Sequence, residues 1–158
     1  MNLKSIKTKA IIALVLSVLA LMPLVGVVFT IASYAVMFFA VKGVKELSQS
    51  TTLLRNFSIF VGLMVAAVIL EKISSGTLLS ILKFVVVVAG VVYGFFYYKE
   101  MSRLSDINLF FIAYIFVLID SALSAFWLGW IAWVFALLAF LFELIAWIKL
   151  EHINKATL

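Results

Sequence analysis

Apolar residues in this chain neither alternate nor recur once per turn; they run on in blocks. Four blocks stand out, Ala10–Val41, Phe57–Leu70, Phe84–Tyr98 and Ile107–Ile148, with short polar stretches between them. A helix that is apolar all round is buried in a core or in a bilayer, and a spanning helix needs roughly 20 such residues to cross about 30 Å of hydrocarbon. As one helix, the first block would run about 48 Å at ~1.5 Å per residue. Its middle carries Pro23-Leu24-Val25-Gly26, where the chain's only proline removes a donor and a glycine permits a tight turn. The pattern predicts a reversal there. The last block is also too long for one crossing and has a candidate turn at Ser124-Ala125-Phe126-Trp127-Leu128-Gly129.

Counting basic residues separates the alternatives. With a hairpin at Pro23 there are six spans, at about 6–22, 27–46, 55–72, 78–100, 107–124 and 129–150. One face then holds Lys4, Lys7, Lys9, Lys42, Lys45, Arg55, Lys99, Arg103, Lys149 and Lys155, and the other only Lys72 and Lys83. If the first block crosses once, the basic residues divide 5 against 7. A Lys/Arg bias sets the orientation of short-looped membrane proteins, and only the hairpin produces one. The expected fold is therefore all-α and integral to the membrane: a single domain over 1–158, with three consecutive helical hairpins and both termini cytoplasmic. Lys4, Lys7 and Lys9 also resemble the start of a signal peptide. The apolar run behind them exceeds a typical signal core, and a second follows at once, so the segment reads as the first span.

Composition agrees. The chain is 67% hydrophobic and 12% charged, with a mean hydropathy of +1.31. Soluble domains are about 45–50% apolar and about 25% charged; this chain has too few polar side chains to cover a water-facing surface. The net charge of +5 sits beside the apolar blocks, without a nucleic-acid motif. It suits anionic lipid head groups, and nucleic acid is not an expected partner. There is no Cys and one His, so no disulfide framework or thiolate is available. No catalytic, metal or cofactor constellation is present, and neither an enzyme nor a cofactor is expected.

Finer features follow the same layout. Ser74-Ser75-Gly76-Thr77 reads as the turn between the third and fourth spans, and Ser105 or Asp106 as a cap for the fifth. Trp127, Trp130 and Trp133 fall near the outer boundary and Tyr97, Tyr98 and Trp147 near the inner one, as in aromatic belts. The hairpins begin near Leu3, Leu53 and Asp106 and end in aromatic or aliphatic runs before a basic-acidic tail. That is either an internal repeat or the general look of a cytoplasmic helix end.

Lys83, Asp120 and Glu143 fall inside predicted spans, and intramembrane charges mark candidate sites. Insertion alone decides nothing. The 11 Leu, Ile, Val and Phe residues from Trp130 to Ile148 favour insertion by about 3–7 kcal/mol, against about 2.5–3.5 for one central charge. Gly129, Ala132, Ala136, Ala139, Glu143 and Ala146 recur at alternating spacings of three and four, so they share one stripe. Such a stripe lets another helix approach closely. Glu143 then either responds to protons or cations, or holds helices together by a hydrogen bond across the seam. Lys83, Gly90 and Gly94 share a face containing a GxxxG spacing. Lys83 and Asp120 lie at similar depth; they either pair inside the bundle or snorkel separately.

The segments Leu3-Lys-Ser-Ile-Lys-Thr-Lys9, Pro23-Leu-Val-Gly26 and Val41-Lys-Gly-Val-Lys-Glu-Leu-Ser48 together resemble an uncharacterised prokaryotic family of small multi-pass membrane proteins. The resemblance covers the first third of the chain. It implies a prokaryotic cytoplasmic (inner) membrane and lends no activity. Two functions remain open: a structural or accessory subunit, homo-oligomeric or within a larger membrane complex, that associates through small-residue faces; or an oligomeric small transporter or channel using Glu143 and a Lys83/Asp120 pair. The few mid-membrane polar groups of the first two spans, Ser17, Thr30, Ser33 and Tyr34, favour the first.

Overall fold

The structure, a computed structural model, describes residues 2–22, 25–73, 77–125 and 128–156, excluding the side chains of 71–73 and 125. It consists of six helices: α1 (Leu3–Leu19), α2 (Gly26–Ser48), α3 (Leu53–Ile73), α4 (Thr77–Ser105), α5 (Leu109–Ala125) and α6 (Gly129–Lys149). No strand occurs among the described residues. Four helices, α2, α3, α4 and α6, are long and apolar enough to cross a membrane. The remaining two, α1 and α5, have 17 residues each, about 26 Å at ~1.5 Å per residue. The turns expected at Pro23-Leu24 and Ser74-Ser75-Gly76 lie outside the described residues, as does Trp127.

Local chemistry explains where the elements begin and end. Asn2 caps α1, its Oδ1 accepting from the Ser5 N–H at 2.8 Å, so the helix starts at Leu3, three residues before the expected start near 6. At the other end of α2, Gln49 turns into the left-handed region at φ 58°. Ser50 Oγ then accepts from the N–H of Leu53 at 3.1 Å and starts α3. Helix α4 runs five residues past its expected end at 100, because Met101, Leu104 and Ser105 are buried against neighbours and continue the packing. Asp106 follows with φ 54°. It does not cap α5; its carboxylate takes bonds from the C-terminal tail instead.

The helices form a ring. Each odd-numbered helix packs mainly on the even-numbered one that follows it; lighter contacts join α2 to α3, α4 to α5, and α6 back to α1. The buried core is gathered at one end. Ile6 of α1, Val41 and Val44 of α2, Leu53 of α3, Met101 and Leu104 of α4, Phe110 of α5 and Trp147 of α6 belong to one cluster. Toward the opposite end the same helices are open, with Leu78 80%, Trp130 76% and Val27 74% exposed.

Aromatic placement departs from the belt expectation on the inner side. Trp130 and Trp133 are exposed, as a belt requires, but Tyr97, Tyr98 and Trp147 are buried in the core. Their rings fill the centre of the convergent end, where the ends of all six helices meet, and are not available to an interface. Phe110 meets Trp147 edge-on at 5.1 Å, and Phe57 tilts against Tyr97 at the same separation.

Glycine supplies close approach between α3 and α4. A Cβ on Gly94 would fall 2.9 Å from Tyr114 Cε2 and 3.1 Å from a Phe60 ring carbon, whereas one on Gly62 would meet nothing within 4 Å. A Cβ on Gly90 would strike only the mobile end of Met64. Gly94→Ala is therefore expected to lower stability by about 1–3 kcal/mol, Gly90→Ala by less, and Gly62→Ala not measurably. Thermal unfolding of the three variants in detergent checks this order.

Candidate functional site

Interior polar groups collect where the core is tightest. From α4, the Tyr98 hydroxyl donates to Glu143 Oε2 of α6 at 3.2 Å. This joins two helices that are not neighbours in the ring. Tyr98 also stacks on Tyr114 of α5, with ring centres 5.0 Å apart and planes 19° apart, and meets Tyr97 edge-on at 4.8 Å. The Tyr114 hydroxyl in turn donates to the Val91 carbonyl of α4. Glu143 is thus held against a group of three tyrosines. One turn beyond it, Trp147 is buried with its indole N–H directed at the Glu143 carboxyl.

A second cluster closes the α2–α3 turn onto α4. Glu100 is buried, and its Oε1 accepts from the Ser50 hydroxyl and, at 2.8 Å, from the Thr52 hydroxyl. Ser50 works twice here, capping α3 and binding Glu100. Nothing in the sequence pattern marked Glu100, which stands in a polar helix tail beside Lys99. The run Ser48-Gln49-Ser50-Thr51-Thr52 carried the available signal: several hydroxyls at one turn need acceptors once buried.

A third cluster fastens the tail. Asp106 Oδ2 accepts from Asn154 Nδ2 at 2.6 Å and lies 3.2 Å from His152 Nε2. The N–H groups of Asn154 and Ala156 donate, at 2.7 Å each, to the carbonyls of Leu104 and Ser48. Those carbonyls lie in the last turns of α4 and α2, where no intrahelical donor remains. The tail therefore satisfies two helix ends at once.

The residues singled out from the sequence are placed as follows. Ala132, Ala139 and Ala146 are buried and Ala136 is half-buried, whereas Gly129 is exposed, with open space where a Cβ would stand. Gly90 and Gly94 are covered by Met64, Phe60 and Tyr114 of the same chain. These small residues thus serve the chain's own packing, not a free face. Lys83 stands on α4 and Asp120 on α5, both half-buried and near the end opposite the core cluster.

Chemically, the interior offers two carboxylates bonded to hydroxyls, Glu143 to Tyr98 and Glu100 to Ser50 and Thr52. No group of His, Asp and Glu suited to a metal ion occurs among the described residues. Compared with known protein families, curated proteins and solved structures, the chain matches none.

Two outcomes are expected. Tyr98→Phe removes the interhelical donor to Glu143 and should lower stability by about 0.5–2 kcal/mol, while Glu143→Gln keeps an acceptor and should change it less; thermal unfolding distinguishes them. The tail should respond to pH. The Asn154 bond, followed by that of His152, holds the Asp106 carboxyl below its ordinary value of 3.8. A carboxyl lowered in the folded state contributes attachment above its ordinary value and loses it as pH falls through the lowered one. Hydrogen exchange at residues 152–156 should therefore accelerate below pH 3.8, beyond the intrinsic rate change, and Asp106→Asn should remove that acceleration.

Proposed function

We propose that this chain is a multi-pass protein of a prokaryotic cytoplasmic membrane and serves as a structural or accessory subunit. Its six helices cross as three hairpins, with both termini in the cytoplasm. The observation carrying this reading is the burial at the convergent end, where Trp147, Tyr97, Tyr114, Phe110, Met101 and Leu104 are all less than 2% exposed. Large side chains in contact across the ring are a plug and do not line a water-filled path, which a conduction or transport route requires. The polar groups beside them are used in bonds between helices. The exposed apolar flanks of α2, α4 and α6 suit lipid contact.

The sidedness is supported by charge. Lys4, Lys7, Lys42, Lys45, Arg55, Lys99, Arg103, Lys149 and Lys155 all lie in or beside the helix ends that converge, and such residues are retained on the cytoplasmic side. The 17-residue α1 and α5 would cross with local thinning or through packing against their partners. Because the small residues are consumed within the chain, association with other subunits would use the exposed aliphatic faces.

The native chain has no Cys, so single cysteines report topology cleanly. Gln49→Cys and Lys155→Cys should be blocked by impermeant reagents only in inverted vesicles, and Met22→Cys and Leu128→Cys only in right-side-out cells. In liposomes loaded with a pH-sensitive dye, the purified protein should be silent. Proton flux abolished by Glu143→Gln would replace the accessory reading with transport.

A further inference from the structure

Between the start of α3 and the last turns of α4 lies a cleft of about 550 Å³. Its polar end is lined by Arg55, Asn56, Lys99, Glu100 and Arg103, and its apolar end by Val92, Tyr93 and Phe96. Lys99 and Arg103 are one turn apart on α4 and share a face. Three cations stand against one carboxylate, and that carboxylate is tied back to Ser50 and Thr52. Lys99 rests its ammonium 5.5 Å from the centre of the Phe95 ring. Neither guanidinium has an ion pair or hydrogen bond among the described residues.

Asn56, only 7% exposed overall, lines the same polar end. Two guanidiniums without ion pairs on one cleft suit the oxygens of a phosphate, which Arg binds through paired N–H groups. The apolar end continues about 16 Å along α4 from Arg103 to Val92, at ~1.5 Å per residue. That is the direction of the hydrocarbon.

We infer that this cleft binds a phosphate-bearing anion, supplied by an anionic phospholipid whose head group meets Arg55, Asn56 and Arg103 while its chains lie along Val92, Tyr93 and Phe96. The assignment rests on the membrane location proposed above, but on neither the sidedness nor the accessory role.

Binding to the full chain in neutral detergent tests it, by native mass spectrometry with phosphatidylglycerol, phosphatidylcholine and inorganic phosphate. Phosphatidylglycerol should bind at least about tenfold more tightly than phosphatidylcholine, a difference of about 1.4 kcal/mol. The double variant Arg55→Gln/Arg103→Gln should lose that preference. Lys4→Gln/Lys7→Gln, which removes the same charge from another cleft, should keep it. Both arginines are exposed, and unchanged thermal unfolding of the lipid-free variant shows that it folds. Equal binding of the two lipids, or equal loss in both double variants, overturns the site. Displacement of phosphatidylglycerol by inorganic phosphate at the lipid's own concentration overturns the lipid source. The cysteine labelling above reports independently on whether the chain spans the membrane.

Discussion

Lipid tails are as apolar as leucine, so helices in a bilayer gain little from burying aliphatic side chains against one another. What draws them together is close backbone approach, ring packing and hydrogen bonds between helices. This chain concentrates all of these at one end. Gly94 brings α3 against α4 and Tyr114, the tyrosines and Trp147 fill the centre, and Glu143 and Glu100 receive hydroxyls from other elements. The opposite halves of the helices carry exposed Val, Ile and Leu.

The same constraint explains the tail. Where helix ends are gathered and partly covered, their last carbonyls need donors. Residues 150–156 supply them to α2 and α4, and Asp106 fixes the tail's side chains. Asp106 is the residue that best combines exposure with a defined set of partners. Its left-handed backbone at φ 54° ends α4 and turns the carboxylate to a position where the tail can reach it.

Glu143 shows how far a stripe of small residues carries an argument. Spacing alone put it beside Ala139 and Ala146, and those alanines are buried. Spacing said nothing about Tyr98, which stands 45 residues away. For Lys83 and Asp120 only equal depth was legible, because depth fixes one coordinate and leaves the rotation of each helix free. Glu100, Ser50 and Asn56 gave no periodic signal at all. Their importance comes from burial, which a polar residue next to a turn does not announce.

The length and apolarity of the blocks, the polar breaks between them and the distribution of lysine and arginine determined that the chain is all-helical, has six segments and keeps most of its cations near one set of helix ends. Those properties are local or additive along the chain, so they can be counted. Tertiary structure alone decided which end is closed, which tyrosine meets which glutamate, that Gly90 and Gly94 serve internal packing, and that Arg55, Asn56 and Arg103 border one cleft. Each of these depends on the azimuth of one helix relative to another. In a helix apolar on every side, no stripe of hydrophobicity records that angle.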